Sequence, residues 1–170
     1  SAEETQKVTA MMEQSQDKMQ EMMEAAVSFA VTMHRAFDVC ADPFEALKKS
    51  AELGVDTILT SGQEADCLAG CGLLKKLVQL TDQSRSDSRR VTILAGAGVT
   101  SVNIAEIAKK TGVRAFHMSG KRLLESGMRY RNERVHMGLG SLSEFECYRT
   151  DEAEIRRAAE ILRTLGEDGR

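Results

Sequence analysis

Short apolar runs alternate along this chain with amphipathic stretches of helical period. The runs lie at about 29–34, 56–59, 91–95 and 115–118, and a polar or glycine-rich segment follows each of them. Between the runs, apolar residues recur three or four positions apart, as on one face of a helix. Strand and helix therefore alternate four times, which predicts βαβ units and a parallel sheet of an α/β fold.

Capping residues locate the ends of the predicted helices. Asp42 is the expected N-cap of one helix, with Pro43 at its first position. Asp151 is expected to start the last helix, Glu154 to complete a capping-box-like pair with it, and Gly166 to stop it. The stripes predicted to be buried are Phe44, Leu47 and Ala51 in the first of these helices and Ile155, Ala158, Ala159, Leu162 and Leu165 in the last.

The two ends of the chain depart from this rhythm. Residues 1–26 predict a long Met-rich helix ahead of a β/α domain at 27–170. Thioether sulfur can bind Cu(I), but methionines at helical spacing usually fill cores, and we favour that reading. Residues 121–149, with the Gly-rich Met137–Gly140, predict a long loop on the functional face, and 81–90 an exposed polar loop. The helix stripe and its methionines comprise Val8, Met11, Met12, Met19, Met22, Met23 and Ala26.

Charge and cysteine content narrow the classes of partner. The chain has 23 basic and 26 acidic residues, a net charge of −3, which argues against nucleic acid or an anionic membrane as the partner. No stretch approaches the ~18 apolar residues of a membrane span. Four cysteines without a CxxC motif suit reduced thiols. We therefore expect a cytoplasmic protein.

The strand tips carry the strongest candidate chemistry, which is anion binding. Gly96 and Gly98 would let backbone N–H groups approach a ligand. A helix capped at Thr100 or Ser101 would point its positive end at the same place. The alternative is that the glycines only make a tight turn. The candidate anion-binding residues are Thr60, Ser61, Gly62, Gly96, Gly98, Asn103, Ser119, Gly120 and Lys121.

Four titratable or charged residues at the strand ends are catalytic candidates, namely His34, Arg35, Asp38 and His117. Imidazole suits general acid or base work near neutral pH. The alternative is that the histidines are structural and that Arg35 and Asp38 form a structural ion pair.

No metal site can be assigned from the sequence. Cys67 and Cys71, four apart, could share a soft cation if helical, but two small buried residues are the favoured interpretation.

Five motifs occur in the order found in the copper homeostasis protein CutC family, which this chain resembles over roughly residues 25–165. The family resemblance implies a TIM-type (β/α)8 barrel linked to copper tolerance and Cu(I) binding. Such a barrel takes about 250 residues, and this chain supplies strands resembling five to eight. The cysteines proposed as copper ligands in the family's first half have no counterpart here. The motifs are His34–Asp38, Ile58–Gly62, Ala95–Val99 with Asn103, Phe116–Ser119, and Ser126–Met128 with Tyr130–Asn132.

Two functions remain open on this basis. The first is a CutC-like copper homeostasis protein that binds or handles Cu(I) in the cytosol, with Cu(I) implied by the resemblance alone. The second is a barrel enzyme acting on a small phosphorylated or anionic substrate at the strand tips. Four parallel strands leave two unpaired edges, and Val31, Ile58, Ile93 and Phe116 would face the opening. We therefore expect a homo-oligomer, or association with the missing half-barrel.

Overall fold

The computed structural model describes residues 2–26, 28–83, 90–132, 134–135, 143 and 145–168. Most of the predicted polar loop at 81–90 and the Gly-rich Met137–Gly140 lie outside these residues.

Four parallel strands form the central sheet, as the sequence predicted. They are β1 (Thr32–Met33), β2 (Thr57–Thr60), β3 (Thr92–Ala95) and β4 (Ala115–Phe116), side by side in chain order. Ile58 pairs with Ile93, and Ala95 with Phe116, so all four carboxyl ends lie at one edge of the sheet. Polar residues that follow the strands are thereby brought together.

Helices connect the strands. Asp42 caps α2 as predicted, because its Oδ1 accepts the N–H groups of Phe44 and Glu45 at 2.9 and 3.1 Å. Gly112 ends α4 in the left-handed conformation, with φ 77°. No helix in the described part is both long and apolar enough to cross a membrane. In chain order the helices are α1 (Ala2–Ala25), a 3₁₀ helix (Arg35–Val39), α2 (Pro43–Glu52), α3 (Cys71–Gln83), α4 (Ile104–Thr111) and α5 (Glu152–Asp168).

The core lies between one face of the sheet and the helices. Ile58 and Ile93 are buried there, with 0% and 4% of their surface exposed. The prediction that these two isoleucines face an opening is therefore wrong, because side-chain alternation along the strands turns them toward the helices. Val31 and Phe116 are half-buried against the same core. Its fully buried helical members are Leu74, Leu77, Ile104 and Ile107.

The opposite face of the sheet is only partly covered. Thr92 is exposed, and Thr57, Leu59 and Leu94 are half-buried. The register aligns Thr32, Thr57 and Thr92 across three strands in one row.

Several predicted boundaries are wrong. The first strand begins at Thr32, and Phe29 is 69% exposed, because the pairing between β1 and β2 starts only at Thr32 and Thr57. Phe44, which was predicted to be buried in the helix that begins at Pro43, is 42% exposed. Helix α5 continues through Gly166 to Asp168. Glycine in a helix costs only about 1 kcal/mol relative to alanine, which does not by itself stop a helix.

The loop predicted over 121–149 is replaced at both ends by a pair of strands. β5 (Lys121–Glu125) and β6 (Glu146–Thr150) run antiparallel, with Leu123 opposite Tyr148. Every residue of β6 is exposed. Without a buried face, these strands lack the apolar alternation by which a strand is predicted.

The methionines of α1 do not share one environment. Met23 is half-buried against the core, as the core-filling interpretation expects. Met11, Met19 and Met22 are 69%, 49% and 71% exposed, so that interpretation is wrong for these three. The side chains of Val8 and Met12 lie outside what the structure describes.

Candidate functional site at the strand tips

A cleft of about 740 Å³ opens at the carboxyl ends of the strands. Loops after β3 and β4 form most of its wall, and Arg35, Asp151 and Glu154 complete it. The lining residues are Arg35, Leu59, Ala97, Gly98, Val99, Thr100, Val102, His117, Met118, Ser119, Gly120, Lys121, Asp151 and Glu154.

Asp38 organises the base of this region. Its carboxylate accepts the Nε–H of Arg35 at 2.7 Å and the hydroxyl of Thr60 at 2.5 Å. It also accepts the N–H of Ser61 at 3.1 Å and the N–H of Gln63 at 3.3 Å. The Ser61 hydroxyl lies 3.0 Å from Asp38 Oδ2, but its single proton also has Glu64 O as a nearer acceptor, at 2.6 Å. The Asp38 side chain is only 7% exposed. Through these hydrogen bonds the Asp38 carboxylate fixes the backbone that follows β2.

The hydrogen bonds of Asp38 determine its protonation. Burial alone would raise its pKa, but the bonds from Thr60, Arg35 and the backbone of Ser61 and Gln63 outweigh burial, so the pKa lies below its ordinary value.

Arg35 is held from two sides. Its Nη2 donates to Ser61 Oγ at 2.9 Å while its Nε donates to Asp38, and its side chain is still 45% exposed. The guanidinium is thus positioned at the cleft with part of its surface available.

The two histidines lie in different settings. His34 Nδ1 accepts the N–H of Ala36 at 2.9 Å and so caps the 3₁₀ helix. His117 lines the cleft, and its backbone N–H donates to Ala95 O at 2.8 Å. The fold therefore brings His117, Arg35 and Lys121 to one cleft, while His34 is not among the residues that line it.

Packing and backbone conformation account for the two glycines after β3, Gly96 and Gly98. A side chain at Gly96 would approach Leu59 Cδ1 to 2.6 Å. Gly98 has φ +73°, and a side chain there would lie 3.1 Å from Asp66 Cβ. Ala97 between them also adopts positive φ, 79°. Gly98 thus makes the tight turn and also lines the cleft.

Asn103 orients the loop after β3. Its Oδ1 accepts the N–H of Thr100 and its Nδ2 donates to Gly98 O, both at 2.8 Å. Asn103 also stands at the N-cap position of α4, so the prediction of Thr100 or Ser101 as N-cap is wrong.

Glu154 accepts hydrogen bonds from donor groups just before the start of α4. Its carboxylate accepts the N–H and hydroxyl of Ser101 at 2.6 and 2.8 Å, and Arg157 donates to it at 2.8 Å. These bonds, the Ser101 N–H first, lower the pKa of Glu154. The capping-box role predicted for Glu154 is therefore wrong, and Asp151 caps alone by accepting the N–H of Ala153. The 53-residue separation of Glu154 from Ser101 gave no sequence signal for this contact.

The remaining anion-binding candidates divide into two groups. Ser119, Gly120 and Lys121 line the cleft, and Lys121 Nζ lies 4.2 Å from the centre of the Tyr148 ring. Thr60, Ser61 and Gly62 are buried and serve the Asp38 network, in which Gly62 N–H donates to Thr60 Oγ1 at 2.9 Å. A side chain on Gly62 would meet Gly70 O at 2.4 Å.

The cysteine pair is engaged with the backbone. Cys67 Sγ–H donates to Ala97 O at 3.0 Å and Cys71 Sγ–H to Cys67 O at 3.4 Å. Burial raises the pKa of Cys67 to about 11. Over the ranges that the structure describes, no group of three or more His, Cys, Asp or Glu side chains is placed to hold a metal ion.

These observations define an α/β protein with a cleft, lined by charged and apolar side chains, at the carboxyl ends of parallel strands. The sequence profile of the CutC family matches residues 6–122, most of the chain, and the chain belongs to the CutC family. The predicted resemblance is thus confirmed, and the match extends through most of α1, beyond the start near residue 25 that the motifs indicated.

Similar curated proteins are named as CutC family proteins. The one from Parabacteroides distasonis is 45% identical over 139 residues, which are 81% of this chain and 55% of the relative. Those from Bacteroides fragilis and Salmonella agona are 48% and 40% identical, each over 85% of this chain and 55% and 56% of the relative. The chain spans about half the length of the curated relatives it matches.

Proposed function

We propose that this chain belongs to a copper homeostasis protein of the CutC type and that its cleft at the strand tips binds a small anionic ligand. Family membership supports the first part. The observation that carries the second part is the convergence of Arg35, Lys121 and the Gly98 loop on one cleft. Binding of a phosphorylated or anionic substrate by a barrel enzyme is the catalytic form of this proposal, with His117 as its candidate acid or base.

The electrostatic argument rests on which charges are already matched. Arg35 is fixed by Asp38 but half exposed, and Lys121 lies over the Tyr148 ring. Glu154 and Asp151 also line the cleft, where Glu154 accepts a bond from Arg157 and Asp151 accepts the N–H of Ala153. We therefore propose that a ligand anion contacts Arg35 and Lys121, the two cations of the lining.

We propose Cu(I) handling as the role that family membership implies, and not as a role of the cysteine pair. A Cu(I) ligand must be a thiolate or another soft donor. A raised pKa disfavours thiolate at Cys67, and both sulfurs point at carbonyl oxygens. We therefore assign no Cu(I) ligand role to Cys67 and Cys71.

The architecture we propose for the whole protein is a TIM-type (β/α)8 barrel, of which residues 27–170 form one half and α1 an additional helix. Its support is the parallel sheet, covered by helices on one face and half-open on the other. Strands that close this sheet, from a second copy or another part of the protein, would cover the open face.

Titration with inorganic phosphate tests the anion site. We expect Arg35→Gln and Lys121→Gln each to weaken phosphate binding about tenfold or more, because a charge-assisted hydrogen bond contributes roughly 1.5–3 kcal/mol. Isothermal titration calorimetry gives the Kd, and ³¹P chemical shifts report the bound state. The matched controls are the exposed residues Arg163 and Lys75, changed to Gln, neither of which lines the cleft.

Arg35→Gln also removes a bond to Asp38, so its unfolding must be measured in parallel. Lys121 lies over the Tyr148 ring and outside the Asp38 network, so Lys121→Gln removes a charge without removing a bond to Asp38. If phosphate bound equally well to the parent and to both cleft variants, the cleft would not be the anion site.

A further inference from the structure

The β5–β6 pair is a two-stranded ribbon whose strands pack chiefly on each other. Every residue of β6 is exposed, and in β5 only Leu124 is half-buried. Neither strand has an extensive contact with another element in the described part of the chain. Because a two-stranded ribbon alone is at best marginally stable in water, a partner that covers one of its faces would stabilise it.

One face of this ribbon is basic, and we call it the arginine face. Side chains alternate along a strand, so Arg122 and Leu124 of β5 lie on the same face as Arg149 and Cys147 of β6. Arg122 stands directly opposite Arg149, and like charges in this position repel each other. No carboxylate within the described ranges forms an ion pair with either arginine. A carboxylate from a partner would remove the repulsion.

The other face of the ribbon differs in both respects. Glu125 stands opposite Glu146, but Arg131 donates to Glu125 at 2.8 Å and so reduces their repulsion. The Tyr148 ring also lies on this second face. Proteins bind single-stranded nucleic acid by stacking its bases on aromatic rings, and the described strands place no ring on the arginine face. The arginine face therefore suits carboxylates better than nucleic acid.

Helix α1 presents carboxylates in a suitable arrangement. Asp17, Glu21 and Glu24 are four and three residues apart, so they lie on one face of the helix, and all three are exposed. Lys18 lies 2.7 Å from Glu21, but exposed ion pairs of this kind contribute only about 0–1 kcal/mol. The stripe is thus available to a partner with stronger positive charge.

Exposed methionines adjoin the acidic stripe. Met11 and Met22, 69% and 71% exposed, are eleven residues apart and share one face of α1. That face lies about a third of a turn from the acidic stripe, at the ~100° per residue of an α-helix. The helix therefore combines negative charge with apolar surface, as the arginine face combines positive charge with Leu124 and Cys147.

We propose that the arginine face binds helix α1 of a second copy of this chain. The acidic stripe lies against the two arginines, and Met22 lies against Leu124 and Cys147. Within one chain, α1 has no extensive contact with the described ribbon, so the helix comes from another copy. This contact is separate from the cleft and from the open face of the sheet, and it does not rest on the proposed function.

Charge reversal in two variants tests the contact. The first variant is Arg122→Glu with Arg149→Glu, and the second is Glu21→Lys with Glu24→Lys. Each alone should weaken self-association about tenfold or more in sedimentation velocity, because like charges then meet. An equimolar mixture should recover the parent Kd to within about threefold, because helix and ribbon then carry opposite charges in both directions. All chains carry Leu94→Glu, which suppresses association through the open face of the sheet.

The matched control is Lys75→Glu with Lys76→Glu, which makes the same change of charge on exposed positions of α3 and should leave association unchanged. Recovery in the mixture would also show that both variants are folded. A monomeric parent, reversals without effect, or a mixture that does not recover would each overturn the contact. Binding of a single-stranded oligonucleotide that the arginine variant abolishes, without self-association, would assign the face to nucleic acid instead.

Disulfide trapping tests the same contact with Leu94 intact. Cys147 is a free and exposed thiol on the arginine face. Met22→Cys, oxidised with diamide, should give an intermolecular disulfide between position 22 and Cys147, identified by mass spectrometry of its peptides. Cys147→Ser should abolish that bond. Its absence from the oxidised Met22→Cys protein would contradict the proposed docking of α1.

Discussion

Asp38 accepts hydrogen bonds from Arg35, from the hydroxyl of Thr60 and from the N–H groups of Ser61 and Gln63 while its side chain is almost fully buried. This residue joins the 3₁₀ helix to the tip of β2. The motif residues His34–Asp38 and Thr60–Gly62, which are far apart in sequence, thus form one structural unit. Its effect on the cleft is indirect, through the position of Arg35.

Asp38→Asn should therefore destabilise the protein by about 2–3 kcal/mol. The amide keeps the shape but turns an N–H₂ group toward hydrogen-bond donors and leaves some of them unsatisfied. Urea unfolding measures the change. Asp42→Asn is the control, since asparagine caps a helix about as well as aspartate and should cost less than about 0.5 kcal/mol. Equal losses in the two variants would contradict the role given to Asp38.

The lowered pKa of Asp38 also predicts an acid-dependent loss of stability. A carboxyl group whose pKa is lower in the folded state contributes stability at pH values above its ordinary pKa, here 3.8. That contribution is lost as the pH falls through the folded-state pKa below this value. Urea midpoints from pH 6 to pH 2.5 should fall more steeply in the parent than in Asp38→Asn. Parallel curves would show that Asp38 does not titrate differently on folding.

Replacing both cysteines of the pair is expected to have little effect on Cu(I) binding. Cys67→Ser with Cys71→Ser should leave Cu(I) affinity nearly unchanged, because both sulfurs already serve backbone carbonyls and burial raises the thiol pKa of Cys67. Competition with a Cu(I) chelator measures this affinity. A drop of orders of magnitude would make the pair a copper site after all.

At the scale of elements, α5 is tied to the loop before α4 by one residue. Glu154 reaches the N–H and hydroxyl of Ser101 and also accepts a bond from Arg157. The loop after β3 is therefore held by Asn103 within its own segment, by Glu154 from α5 and by Cys67, which donates to Ala97 O.

Glu154→Gln is expected to destabilise the protein by about 1–2 kcal/mol, because one charge-assisted bond is lost and an amide donor faces Ser101. Hydrogen exchange should quicken in α5 and at Ser101. Glu152→Gln is the control, since Glu152 forms an exposed ion pair with Arg156 on the same helix and such pairs contribute about 0–1 kcal/mol. Unchanged exchange in α5 would show that other contacts hold the helix.

The elements that could be predicted from the sequence are those with a buried face or a local cap. The apolar runs at 56–59 and 91–95 predicted β2 and β3, and Asp42 with Pro43 predicted the start of α2, all from signals within a few residues. The β5–β6 pair could not be predicted because its residues are mostly exposed. The candidate site could likewise be predicted only where a local signal in the sequence located its residues. Strand-tip position identified Arg35, Gly98, His117 and Lys121, whereas the Glu154–Ser101 contact depends on tertiary packing alone.

At the scale of the whole molecule, the open face of the sheet predicts association. Leu59 and Leu94 on that face are half-exposed, and β1 and β4 each have one unpaired edge within the described sheet. We expect a homo-oligomer, or a complex with a fragment that supplies further strands, in sedimentation velocity at micromolar concentration.

Leu94→Glu should shift this equilibrium toward the monomer, because a charge on the open face cannot be buried in an interface without cost. Leu80→Glu is the control on the outer side of α3, where Leu80 is 41% exposed. A stable, cooperatively unfolding monomer of the parent chain would contradict the half-barrel architecture.

The order of the strands in the central sheet also bears on how the chain folds as it is synthesised. Because β1, β2, β3 and β4 lie side by side in chain order, each strand pairs with one that has already left the ribosome. Pairing strands that are neighbours in sequence closes a loop of one βα unit, which costs less conformational entropy than pairing more distant strands. The sheet can therefore grow one βα unit at a time during translation, whereas the β5–β6 pair and the contact of α5 with Ser101 form only after residues 146–154 have been synthesised.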